Sequence, residues 1–349
     1  MKKLVFLLAI ISLVGCKSIV TSKQSDKEIT EITSFTGQQV TGISISDEGR
    51  MFANFPRWRK GVENSVVEVT KNGVSMPYPN KSWNTWEIDK PLKDSIFVGV
   101  QSVIAFEDEL YVLDTRNPLF KGVLDNPRVF VFDLKTNELK RTFIFQEESF
   151  HQDSYINDLR IDKKKHKAYF TDSGHAGIVV LDLLSGNTKR VLNDHPSTLA
   201  ETDHLTIDGK KWVNKVNSDG IALDTENDLL YYHSLTGYSL YAIPTNILIN
   251  GTEKEIKDSV QFISKTTAPD GMILDKNGNL YFADLENSSI MKFDISTKNM
   301  ILFAQSYKIR WADTFSIYNN DLYFTNSRIN EINGPISDMK FDINKISLE

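Results

Sequence analysis

The sequence predicts an all-β fold, a six-bladed β-propeller, on three observations. A strand–turn–strand–strand unit occurs six times, the copies recur at blade-like spacing, and no sustained 3.6-residue apolar period interrupts them. The first two strands of the copies are GISI-SDEGR-MFAN (42–54), SVIA-FEDEL-YVLD (102–114), DLRI-DKKKHKA-YFTD (158–172), GIAL-DTENDLL-YYHS (220–234), GMIL-DKNGNL-YFAD (271–284) and TFSI-YNNDL-YFTN (314–326). Third strands follow as SVVEV (65–69), RVFVFD (128–133), GIVVLD (177–182), SLYAI (239–243), SIMKFD (289–294) and DMKFD (338–342). Each run is short, rich in β-branched and aromatic residues, and bounded by Gly, Asn or Asp turns.

The spacing selects the architecture. Gly42 to Ser102 is 60 residues, then 56 to Asp158, 62 to Gly220, 51 to Gly271 and 43 to Thr314. Such periods with three or four strands each are those of propeller blades. A ring of blades must close or leave an open edge. The alternating segment EITEITSF (28–35) precedes the first copy and is expected to supply the outer strand of the last blade; KISLE (345–349) is the alternative.

The chain opens with Lys2 and Lys3, an apolar run from Leu4 to Val14, then Gly15 and Cys16. A charged start before a short apolar run is a bacterial export signal, too short to span a bilayer as a permanent helix. Leu13-Val14-Gly15-Cys16 resembles a lipobox, and that resemblance implies cleavage before Cys16 and its lipidation. The expected organisation is a signal peptide over 1–15, a lipidated tether over 16–28 and the propeller over 29–349. Lys17 in place of Asp points to the outer membrane, facing the periplasm or the exterior. Cys16 is the single Cys, so the mature fold is expected to carry no disulfide.

Composition narrows the partners. Formal net charge is −6, from 40 Lys and Arg against 46 Asp and Glu, which argues against nucleic acid. The expected partners are a small molecule and, through Cys16, a membrane; the propeller itself is expected to be a monomer.

In a propeller the innermost strand of each blade lines the axis, so equivalent residues entering it form a ring. Here they are Thr41, Gln101, Asn157, Asp219, Asp270 and Asp313, all polar although the strands behind them are apolar. Converging carboxylates are costly unless a cation, a basic ligand or a bound proton offsets them. Oxygen ligands suit a hard cation such as Ca²⁺, with Asn157, Asp219 and Asp270 as its candidate ligands. The competing reading is a water-filled mouth of solvated acids or turn-capping Asp side chains. A second polar set, Asn54, Asp114, Asp172, Ser234, Asp284 and Asn326, ends the second strands and reads as turn formers. The six His residues show no metal spacing, and no Gly-Xaa-Ser-Xaa-Gly, HExxH or phosphate loop occurs. FPRWRKG (55–61) reads as a surface segment, either a cation–π platform or a blade-edge loop. Trp58 and Trp311 are candidate stacking surfaces.

NFPRWRKGVENSV (54–66), VQSVIAFEDELYVLDT (100–115), SYINDLRIDKKKHKAYFTDSG (154–174), LNDHPST (192–198), SDGIALDTENDLLYYHSL (218–235) and APDGMILDKNGNLYFAD (268–284) together resemble the major royal jelly/yellow proteins. The resemblance runs in order over roughly residues 35 to 330. It implies the propeller, and a function among nutritive roles, amine binding and dopachrome conversion. More distantly the layout is similar to the SMP-30/gluconolactonase propellers. That likeness implies a divalent cation near Asn157, Asp219 and Asp270 and lactone hydrolysis. Thr41 stands where those proteins place a Glu ligand, and Asp219 where Asn is common. Two functions follow as expectations: a small-molecule binding protein using Gln101, Asn157, Asp219, Asp270 and Asp313, or a metal-assisted hydrolase or tautomerase. No catalytic residue is assigned from sequence.

Overall fold

A computed structural model describes residues 27–349; the expected export signal at 1–15 and lipidation at Cys16 lie outside the described residues. Six four-stranded antiparallel sheets make up the propeller. Blade 1 is Gly42–Ile45, Met51–Asn54, Val66–Val69 and Ser75–Pro77, and blade 2 is Val100–Phe106, Glu109–Asp114, Arg128–Asp133 and Leu139–Ile144. Blade 3 is Ile156–Asp162, Lys167–Asp172, Gly177–Asp182 and Thr188–Val191, and blade 4 is Ser218–Asp224, Leu229–Ser234, Ser239–Pro244 and Gln261–Lys265. Blade 5 is Met272–Leu274, Asn279–Asp284, Ser289–Asp294 and Asn299–Gln305.

Blade 6 closes the ring. Its Ala312–Tyr318, Asp321–Asn326 and Lys340–Ser347 strands are followed outward by Thr30–Thr36 from the start of the described chain. Phe35 lies opposite Phe341 and Ser34 opposite Asp342 in that ladder. Lys345 to Ser347 continue the third strand rather than forming an outer one, because they pair with Tyr323, Leu322 and Asp321. Joining the two ends of the chain in one sheet leaves no open blade edge at the seam.

Apolar residues of neighbouring sheets pack face to face: Phe145, Phe170 and Val179 between blades 2 and 3, Trp311, Phe315 and Phe324 between blades 5 and 6. Two features lie outside the repeat. A two-stranded hairpin, His204–Ile207 with Lys210–Val213, is inserted between blades 3 and 4. Two six-residue helices, Thr245–Asn250 and Glu253–Asp258, interrupt blade 4, the second held by a Thr252/Glu255 capping box. Both are too short to leave a helical period in the sequence. No helix among the described residues is long and apolar enough to cross a membrane.

Candidate functional site

The inner strands of blades 4 and 5 carry Asp-Gly at their axial ends, Asp219-Gly220 and Asp270-Gly271, where neighbouring strands approach closely. A Cβ on Gly220 would sit 3.3 Å from the Asp270 carbonyl, and one on Gly271 3.1 Å from that of Asp313. Glycine therefore lets each inner strand slide against the residue ahead of it, bringing Asp219, Asp270 and Asp313 to the axis together. The preceding blades grip the same backbone. Asn54 donates to the Gln101 carbonyl at 2.9 Å, and Thr171 to that of Asp219 at 2.6 Å.

The resulting ring floors a cavity of about 600 Å³ at the channel mouth. Gln101, Asn157, Asp219, Asp270 and Asp313 form its base, each less than a tenth exposed. The walls are Trp58, Phe120, Tyr155 and Trp212, and the rim carries Arg59 and Lys215. Thr41 is the exception among the expected ring residues: it is fully buried, accepts from the Asn54 amide at 3.1 Å and does not line the cavity.

The base is one hydrogen-bonded chain. Trp58 Nε1 donates to the Tyr155 hydroxyl at 2.5 Å, which donates to Gln101 Oε1 at 2.7 Å. Gln101 Nε2 then donates to Asn157 Oδ1 at 2.9 Å, and Asn157 Nδ2 to Asp219 Oδ1 at 2.7 Å. Trp311 Nε1 donates separately to Asp270 Oδ2 at 2.5 Å. Asp313 accepts from the Thr314 hydroxyl at 3.5 Å. Below the ring, Asp158 is paired with Arg160 at 2.9 Å, whereas the three ring carboxylates form no ion pair among the described residues.

Burial therefore dominates their protonation. It drives the Asp219 carboxyl well above the usual range, with Asp270 and Asp313 adding repulsion. Burial raises Asp313 in the same way, again with Asp270 adding to it. Asp270 is pushed up to about 7 by burial, opposed by the Trp311 indole. The three thus titrate as one interacting acidic set, each raised by burial, rather than as three independent fixed anions.

The expected Ca²⁺ site meets this arrangement poorly. Asn157 turns its amide N–H, not its carbonyl, toward Asp219, and a Trp311 N–H occupies Asp270. Among the described residues no group of three His, Cys, Asp or Glu side chains has metal-holding spacing. The residues as arranged do not fit the cation, and no step through one is derived.

Two other expectations are corrected. Trp311 is no stacking surface: it is wholly buried and stands behind the ring, edge-on to Trp212 at 4.9 Å. The FPRWRKG segment is not all surface. Arg57 is buried, bound to the carbonyls of Phe97 at 3.1 Å and Asn84 at 3.2 Å, while Trp58 stacks on Phe120 at 5.5 Å.

Sequence reasoning missed Phe120, Tyr155 and Trp212. Phe120 lies in a loop where Arg116, Leu119 and Phe120 all adopt left-handed φ (56°, 61° and 53°). Buried Arg116, clamped to Asp125 and 3.6 Å from Asp114, holds that loop. Strained non-glycine backbone persists only where surroundings over-determine it, and here it presents an aromatic ring to the cavity. No signal in the repeat marks Trp212, which lies on the inserted hairpin. A larger recess of about 680 Å³ beside Arg57, Glu63 and Trp86 has no buried carboxylate in its lining.

Comparison with known proteins agrees with the geometry. The family model "Major royal jelly protein" matches residues 101–348. The chain is 25% identical to major royal jelly protein 3 of Apis mellifera over 68% of its own length and 48% of that protein's. It is 22% identical to dopaminechrome tautomerase of Drosophila melanogaster over 73% of this chain and 60% of that one. The chain thus spans about half to three-fifths of the curated relatives' length. Among solved structures, a gluconolactonase from Xanthomonas campestris aligns with TM-score 0.55 at 12% identity, over 94% of this chain and 97% of that one. A luciferin-regenerating enzyme aligns with TM-score 0.57 at 10% identity, over 92% and 95%. Those two likenesses establish the propeller, while the match over most of the sequence establishes descent: the chain belongs to the major royal jelly protein family.

Proposed function

We propose that the protein binds a small aromatic cation at the channel mouth. One observation carries this reading: three carboxylates without an ion-pair partner among the described residues floor a cavity of about 600 Å³ walled by Trp58, Phe120, Tyr155 and Trp212. An ammonium offsets the acids, and a ring fills the aromatic cleft with stacking and cation–π contacts. Calorimetry with tryptamine and with indole-3-propionate tests it. Tryptamine should bind and the carboxylate should not, and Asp313→Asn should weaken tryptamine on the order of tenfold or more. Equal binding of both compounds overturns the reading.

A second reading is favoured by the position of Asp270. A carboxyl near 7 beside an aromatic cavity is suited to take a proton from one atom of a bound ring and return it to another. The Drosophila relative is named for a tautomerase. Dopaminechrome turnover that disappears in Asp270→Asn while tryptamine binding remains would support this reading, and turnover unchanged in that variant would remove it.

We also propose that the chain is exported and anchored to the outer membrane through Cys16, on the lipobox-like residues before it. Labelled palmitate should enter the parent and not Cys16→Ala; equal labelling would remove the anchor.

A further inference from the structure

The channel floor has the composition of a divalent-cation site but the hydrogen-bond direction of a different one. An indole N–H can only donate. Trp58 therefore makes the Tyr155 oxygen an acceptor at 2.5 Å, and the one other partner of that hydroxyl among the described residues is Gln101 at 2.7 Å. Burial raises the Tyr155 phenol far above its ordinary value, so it keeps its proton and must place it on the Gln101 carbonyl. Gln101 is then obliged to turn its nitrogen to Asn157, and Asn157 its nitrogen to Asp219, at 2.9 and 2.7 Å. A donor on the cavity wall thereby fixes the orientation of two amides deep in the ring.

The chemical consequence is selective. Each amide carbonyl already accepts one hydrogen bond inside the relay, and the atoms facing Asp219 and Asp270 are the N–H groups of Asn157 and Trp311, which repel a metal ion. A Ca²⁺ ion requires about six to eight oxygens around it. An ammonium requires only a few acceptor lone pairs, which Asp219, Asp270 and Asp313 retain beside their N–H or O–H partners. We infer that the Trp58–Tyr155–Gln101–Asn157 relay makes this channel select an organic ammonium over a divalent metal ion, with Tyr155 as the residue that sets the choice. This rests on the reading of the cavity given above and adds to it the class of cation excluded and the side chain responsible.

The test is calorimetric titration of the full chain in detergent with tryptamine and, separately, with CaCl₂. The parent is compared with Tyr155→Phe and Trp58→Phe. The parent should bind tryptamine and give no Ca²⁺ heat. Tyr155→Phe releases Gln101 and Asn157 to turn their carbonyls inward, and Ca²⁺ affinity should rise on the order of tenfold or more relative to tryptamine affinity. Should that variant not fold, Trp58→Phe, which frees the Tyr155 hydroxyl to reverse, carries the same expectation. A Tyr155 with a purely structural role would weaken both titrants together. Such parallel loss, or Ca²⁺ binding to the parent, or no gain of Ca²⁺ in either variant, overturns the relay while tryptamine binding leaves the cavity reading standing. Absence of tryptamine binding in the parent overturns both.

Discussion

Two rings of polar residues run around this propeller, drawn from the same repeat and close in composition, yet they do opposite things. Three members of the strand-end ring turn inward on backbone amides. Asp172 accepts from the amides of Tyr155, Gly174 and His175 at 2.8, 3.2 and 3.1 Å and pairs with Arg190 at 2.9 Å. Asp114 accepts from Val98, Gly99 and Arg116 at 2.7, 2.7 and 3.0 Å. Asn326 takes the amides of Arg310 and Trp311 at 3.0 and 3.3 Å. The three axial acids have no such donors among the described residues: Asp219, Asp270 and Asp313 face side chains and a cavity. An Asp saturated with backbone N–H groups holds a loop. An Asp buried without them is a destabilising charge that a ligand can relieve.

The contrast can be broken by substitution. The largest expected effect is Asp114→Ala, which strips three backbone amides and leaves Arg116 buried with Asp125 alone; about 3–5 kcal/mol of stability should be lost in urea unfolding. Asp313→Asn should do the reverse, holding or raising stability while abolishing most ligand binding. A large loss of stability there would erase the distinction between the rings.

The smallest effect sharpens the comparison through pH. The folded carboxyl of Asp270 lies at about 7, above its unfolded value, so the folded state holds an extra proton between roughly pH 4 and 7. Its stabilising share is therefore complete below pH 4 and lost as pH rises through 7. Asp270→Asn mimics the protonated form and should match the parent at pH 4 and exceed its Tm by on the order of 3 °C at pH 8. A difference that shrinks with rising pH would show the carboxyl ionised and stabilised instead.

Much of this was legible in the chain. The six-fold register gave the blades, and alternation in 28–35 marked the closing strand, because a strand's two faces impose a period of two on any sequence. Repeat position also named Gln101, Asn157 and the three Asp residues, which meet because equivalent positions of a cyclic fold converge on its axis. Trp311 looked like a stacking surface because a tryptophan near an axial Asp carries no mark of whether its ring faces the cavity or the core. Tyr155 was passed over because its importance lies in which neighbour receives its proton.

What the sequence alone determined is whatever repeats: six sheets, their ring closure, and a polar axis with three acids, since periodic patterning is a local property of each copy. What only the tertiary structure decided is whatever breaks the repeat. The inserted hairpin brings Trp212 over the cavity, the strained loop after Arg116 delivers Phe120, and an indole 97 residues away from Tyr155 sets the direction of the hydrogen bonds below it. Such contacts join segments with no common period, and only folding brings them within reach.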